Sequence, residues 1–121
     1  DNDVELDDGT MLGEQAWYCG TSDLTPGNTT RPVGELSANT AGFYDMLGNV
    51  WEHTHDHFED EITGDVVDPV GPTSGEYRAV RGAGWNSSPR EVRIAFRTSS
   101  HPRNRADNLG FRIARTVDPS P

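Results

Sequence analysis

The 121-residue sequence is short of several things, and each shortage excludes a class of protein. It has one cysteine, Cys19, so an intrachain disulfide, a multi-thiolate zinc site and a vicinal redox pair are all excluded. It has no lysine, and its 10 basic residues are all arginine against 20 acids, a net charge of -10. A general nucleic-acid or anionic-membrane binder is disfavoured, because counterion release on phosphates requires surplus positive charge. No apolar run approaches the roughly 20 residues of a membrane-spanning helix. No stretch repeats apolar residues at helical spacing for more than about two turns, so helix is expected to be minor.

What is present is unevenly spread. Residues 1–70 hold 16 acids and only Arg31, whereas residues 71–121 hold nine arginines and four acids. The plain expectation is that the halves lie against each other and pair charges. The sharper one is an arginine-lined ligand surface in the second half. The 13 glycines and 8 prolines break the chain into short segments, among them the turn-rich Ser22 to Arg31 and Pro69 to Gly75. Residues 1–9 are acidic and lack hydrophobic period, and residues 1–15 read as an exposed lead-in.

Alternation marks the strands. Val92, Ile94 and Phe96 fall on one face with Arg93, Ala95 and Arg97 on the other, and Phe111 and Ile113 repeat the pattern around Arg112. If Val50 to Phe58 is extended, Trp51, His53, His55 and His57 share a side. These histidines are expected to fill packing positions beside Trp51, with a transition-metal site of His53, His55 and His57 as the rival reading.

Several blocks carry a resemblance. Pro32–Leu36 and Asn39–Glu52, the latter containing Asp45-Met46-Leu47-Gly48-Asn49-Val50-Trp51-Glu52, come first. Asp68–Pro72, Arg78–Trp85, Arg93–Arg97 and Leu109–Arg112 follow in order. Together they resemble the formylglycine-generating enzyme and sulfatase-modifying-factor domain family. The resemblance implies an α+β, loop-rich, C-type-lectin-like fold with a small twisted antiparallel sheet and little helix. It covers only the C-terminal part of such a domain, so residues 1–121 are expected to be that part, partnered by the missing N-terminal half. No nucleic-acid partner and no membrane span are expected.

In this family the block ending in Trp51-Glu52 binds calcium. Its ligand positions fall on the Asp45 side chain, the Gly48 and Val50 carbonyls and the Glu52 carboxylate. Hard oxygen donors of this kind suit a structural Ca2+, and Gly48 lets the backbone turn. The competing reading makes Asp45 and Asn49 turn-capping side chains and Glu52 a partner for a downstream arginine. In the family's oxidases a cysteine pair after the Gly-Gly-Ser-Tyr/Trp block binds copper. Here Ser87 stands at the first cysteine position and no cysteine follows Cys19. Serine cannot supply the soft thiolate that copper(I) requires, so copper and catalysis are not expected.

Candidate ligand contacts are Trp85, Asn86, Ser87, Ser88 and Arg90, then Ser99, Ser100, His101, Arg103 and Asn104. Short polar and planar donors in loops favour exposure and recognition. The expected function is a calcium-stabilised ligand- or protein-binding module. The alternatives are a formylglycine-generating oxidase or related metal-dependent oxidoreductase completed by residues outside this chain, and a retroelement-diversified lectin-fold receptor. The family and its calcium tilt the expected compartment towards an extracytoplasmic one.

Overall fold

The computed structural model describes residues 3–6, 9–22, 29–62, 64, 67 and 69–115. Residues 23–28 of the turn-rich segment and Asp68 of the third sequence block lie outside the described residues. In chain order come a 3-10 turn at Leu12–Glu14, β1 at Ala16–Trp17, one helical turn α1 at Cys19–Ser22 and β2 at Leu47–Gly48. Then follow β3 at Trp51–His57, β4 at Arg78–Arg81, β5 at Arg97–Ser100 and β6 at Leu109–Phe111. Helix is minor and loops connect short strands, as the sequence implies.

The main sheet has the order β5-β4-β3-β6, with β3/β4 and β4/β5 antiparallel and β3/β6 parallel. The sheet is therefore mixed rather than antiparallel throughout. β3, rich in Trp, His and Thr, suits a half-buried pleated surface and forms the centre. Its pairing with β4 slips: His53 lies opposite Val80 and His57 opposite Arg78, so four steps on β3 answer two on β4. The Thr54 hydroxyl bridges the irregular stretch by donating to the Ala79 carbonyl at 3.1 Å.

A second, two-residue parallel pair joins β1 to β2, Ala16 opposite Leu47 and Trp17 opposite Gly48. Only glycine fits at Gly48. Its φ is +77°, and a Cβ there would lie 2.2 Å from the Trp17 carbonyl oxygen.

The core departs from the exposed lead-in expected over residues 1–15. Leu12, Ala16 and Tyr18 are buried with Ala83 and Val92, and Leu6, Cys19, Leu47 and Trp51 pack against them. Burying Leu12 and Val92 is worth about 1.5–3 kcal/mol each, and a core this small needs both. Polar contacts fasten the segment further. Asp3 Oδ1 accepts from the Tyr18 hydroxyl at 2.6 Å and from the Gly13 N–H at 2.9 Å. Burial, with the Asp3 carboxylate beside it, pushes the Tyr18 phenol far above its ordinary range.

The strand expected from Val92 to Phe96 is instead a pair of turns. Glu91 and Val92 donate to the Ser88 carbonyl at 2.9 and 3.3 Å, and Phe96 donates to the Arg93 carbonyl at 2.9 Å. The Glu91 carboxylate accepts from both the N–H and the hydroxyl of Ser88, at 2.8 and 2.9 Å, closing the first turn. Val92 reaches the core and Phe96 packs on Trp51, their ring centroids 5.9 Å apart, while Ile94 is 84% exposed. Phe111 and Ile113 are exposed too, and Ile113 lies beyond β6.

Candidate functional site

The turn between β2 and β3 is built around Asn49. Asp45 and Asn49 both hold positive φ, 53° and 64°, a conformation that Asp and Asn tolerate better than most side chains. Asn49 is buried, and its amide makes a reciprocal pair with the Arg31 backbone: Oδ1 accepts from the N–H and Nδ2 donates to the carbonyl, each at 3.0 Å. Its own N–H donates to the Trp17 carbonyl at 2.8 Å, and its carbonyl accepts from Trp85 N–H at 2.7 Å. One residue thus ties four parts of the chain together. The Asn49 side chain bonds a distant segment, 18 positions away, and not the local turn that the capping reading considered.

Asp45, Gly48, Val50 and Glu52 all line one open cavity of about 440 Å3 beside this turn. The four positions expected to hold calcium are therefore brought together. Asp45 Oδ2 accepts from the Gly34 N–H at 2.7 Å. Arg112 enters the same cavity from just past β6, its Nε 3.0 Å from Glu52 Oε2 and its Nη2 2.8 Å from Oε1. Its two terminal nitrogens also donate to the carbonyls of Tyr44 and Asp45, at 2.9 and 2.7 Å. Hydrogen bonding to Glu52 holds the Arg112 guanidinium above its ordinary range, against the opposing effect of burial.

This is the ion pair that the competing reading of Glu52 anticipates. Among the described residues no group of three His, Cys, Asp or Glu is arranged to hold a metal. A cation here would depend on two carboxylates supplemented by main-chain carbonyls, a donor set that suits a hard ion, and on Arg112 releasing Glu52.

The charge pairing expected between the halves is otherwise sparse. Among the described residues the salt bridge is Glu52–Arg112. Arg31, Arg93 and Arg97 instead stand over the rings of Trp17, Phe96 and Phe58, at 5.5, 5.6 and 5.1 Å from the centroids. Arg93 and Arg97 also donate to the carbonyls of Arg90 and Asp60. Guanidinium groups here use ring faces and backbone oxygens where carboxylates were expected.

The expected ligand segment divides. Ser87 is buried, its hydroxyl accepting from the Gly84 N–H at 3.1 Å and its carbonyl from Cys19 N–H at 3.1 Å, so it is a structural residue. Ser88 is engaged with Glu91, and Arg90 is exposed on the adjoining turn. Ser99 and Ser100 lie in β5 rather than in a loop, with Ser100 buried and bonded to Asn104 Nδ2 at 3.3 Å. His101 Nδ1 accepts from Arg103 N–H, and its ring meets Tyr77 edge-on.

Ser99, Ser100 and Asn104 share a groove of about 280 Å3 with Trp51, Thr98, Arg105 and Asn108. Trp85 and His101 do not line it, and Asn86 joins its rim through Asn108, whose Nδ2 donates to Asn86 Oδ1 at 2.9 Å. The sequence reading missed Trp51 and Asn108 as members of this groove. The signal was available for Asn108, which precedes the Leu-Gly-Phe-Arg block in a run of polar residues.

The three-histidine metal site does not form. His53 lines a cavity with Glu52, Arg81 and Arg112, whereas His57 lines another with Arg78, and only His55 borders both.

Known proteins resemble this arrangement closely. The family model for the sulfatase-modifying factor enzyme 1-like domain matches residues 10–117. The formylglycine-generating enzyme of Streptomyces coelicolor is 36% identical over 95 residues, 74% of this chain and 30% of its own length. The mouse inactive C-alpha-formylglycine-generating enzyme 2 is 32% identical over 100 residues, 78% of this chain and 27% of its own length. Among solved structures, Treponema denticola variable protein 1 superposes with a TM-score of 0.74 at 36% identity, covering 83% of this chain and 35% of that one. The chain spans about a third of the length of these relatives. The match over nearly the whole chain, the mixed sheet around β3 and the ordered sequence blocks together place this protein in the sulfatase-modifying factor enzyme 1-like domain family.

Proposed function

We propose that this domain is a calcium-stabilised binding module that does not generate formylglycine. The observation that carries the reading is Ser87. It stands where the resemblance puts the oxidases' first copper-binding cysteine, and it is buried with its hydroxyl engaged by the Gly84 N–H. A hydroxyl so placed offers neither the soft thiolate for copper(I) nor an exposed nucleophile. A mouse relative that is named inactive supports the same direction.

Asp45, Glu52 and the Gly48 and Val50 carbonyls would hold the calcium ion. Bound calcium supplies charge neutralisation and a cross-link between the turn and β3. The Arg112 guanidinium joins Glu52 to the Tyr44 and Asp45 carbonyls at the same place. The ligand face is the groove of Trp51, Thr98, Ser99, Asn104, Arg105 and Asn108, where amide and hydroxyl groups surround an indole. Groups of this kind recognise polar, planar or hydroxylated ligands.

The reading is tested by two measurements on the purified chain. Calcium titration calorimetry, with melting curves in calcium and in chelator, is expected to show saturable binding and a higher melting temperature in calcium; identical melts and no heat would remove the cation. Incubation with a cysteine-bearing sulfatase peptide and copper is expected to leave the peptide mass unchanged, and conversion of the cysteine to an aldehyde would overturn the noncatalytic reading.

A further inference from the structure

A separate cavity of about 450 Å3 lies between the far end of β3 and the loop at residues 70–73. Its polar lining is His55, His57, Thr73 and Arg78, with no carboxylate, in a chain that carries twice as many acids as arginines. His57 is directly opposite Arg78 in the β3/β4 ladder, which puts the two side chains on one face of the sheet. Arg78 is half-buried and donates from Nη1 to the His55 carbonyl. Among the described residues it forms no ion pair.

Two polar groups there lack compensation. The Arg78 guanidinium has a carbonyl partner but no counter-charge among the described residues, and a buried imidazole nitrogen without a partner is costly. His57 Nδ1 is such a nitrogen. Gly75 packs so closely that a Cβ on it would lie 3.2 Å from Nδ1, and a Cβ on Gly71 would lie 3.1 Å from the His57 carbonyl oxygen. The loop therefore walls the cavity with backbone rather than with acidic side chains. A cation is poorly matched to this setting, because the guanidinium would repel it and no third metal-ligating side chain is at hand among the described residues. An acceptor-rich anion in the cavity would supply the counter-charge that Arg78 lacks.

We propose that this cavity binds a tetrahedral oxyanion, sulfate or phosphate, with Arg78 as the forked donor and His55 and His57 as imidazole donors. The site is distinct from the calcium cavity and from the groove of Trp51, and it does not depend on either. The charges around the imidazoles are Arg78 from β4, Asp56 on β3 itself and Glu76 in the segment leading to β4; residues 69–75 contribute none.

The test is titration of the full chain with sodium sulfate and sodium phosphate at matched ionic strength in chloride, followed by calorimetry and by the histidine imidazole resonances. Glucose 6-sulfate and glucose 6-phosphate form the second arm, and tighter binding of an ester than of its free ion assigns the site to sugar esters. Expected are saturable binding at one site, shifts of the His55 and His57 resonances, and affinity at least tenfold weaker in Arg78→Gln but unchanged in Arg115→Gln. If Arg78→Gln fails to fold, His55→Asn at an exposed position is expected to weaken binding at least threefold. The proposal is overturned if chloride alone reproduces the shifts, if Arg78→Gln or His55→Asn binds as tightly as the parent, or if the imidazoles respond to Zn2+ and to neither oxyanion.

Discussion

The two ends of β3 each receive an arginine, and they use it in opposite ways. At the Trp51–Glu52 end, Arg112 meets a carboxylate and two carbonyls, so its charge is balanced within the fold. At the His57 end, Arg78 meets one carbonyl and shares a cavity with two histidines, and among the described residues its charge has no partner. Net charge therefore says little about local demand. A chain with an excess of acids can still leave one guanidinium short of an anion, because the acids lie elsewhere on the surface.

The comparison can be broken most severely at Gly48. Gly48→Val forces a side chain into the Trp17 backbone at positive φ, and a loss of more than about 3 kcal/mol is expected, read as absence of a cooperative melt. Next comes Asn49→Ala, which strips the Arg31 backbone of both its amide partners and puts a less tolerant residue at φ 64°. A loss of about 2 kcal/mol by denaturant unfolding is expected, and less than 0.5 kcal/mol would show that the Arg31 segment is held by other contacts.

The contrast itself is sharpened by a matched pair of variants assayed in chelator without added anion. Arg112→Gln is expected to cost about 1 kcal/mol, since it removes a partly exposed ion pair and two hydrogen bonds to carbonyls. It is also expected to strengthen calcium binding by freeing Glu52. Arg78→Gln is expected to change stability by less than about 0.5 kcal/mol, because no counter-charge is lost. Equal losses in the two variants would erase the distinction.

The smallest effect at neutral pH concerns neither end. The Tyr18 phenol is raised in the folded state, so below its unfolded value near 10 its contribution is fully present. Above that value the unfolded state ionises first and stability falls with rising pH. Melts between pH 9 and 11 are expected to decline in the parent, and the decline is expected to flatten in Tyr18→Phe.

How much of this was legible in the sequence depended on whether one interaction dominated locally. The β2–β3 turn was legible, because Asp45, Gly48 and Asn49 occupy backbone conformations that those residue types announce, and β3 follows from a run of residues suited to a pleated surface. The Val92 to Phe96 segment misled for a physical reason. Apolar residues at positions 92 and 96 satisfy a four-residue spacing as well as alternation, and the Glu91 cap on Ser88 decides for turns. The N-terminal core was hidden because Leu12, Ala16 and Tyr18 are sparse among acids and glycines and acquire meaning only against Ala83 and Val92. Of the ligand groove, the serines and Asn104 were visible in composition. Trp51 was not, because a tryptophan beside a calcium block reads as packing until the sheet sets it next to β5.

The parallel seam between β3 and β6 has a consequence for how the chain reaches this state. Glu52 and Arg112 are 60 positions apart, and β3 cannot complete its second edge until that whole loop has closed. Closing a loop of that length costs entropy before any contact repays it, and topologies built on such distant pairings fold slowly. During synthesis β3 would spend the interval with one side open, its alternate histidines and polar residues making it a poor template for neighbouring chains. The hydrophilic character of this central strand thus serves the nascent chain as well as the finished one.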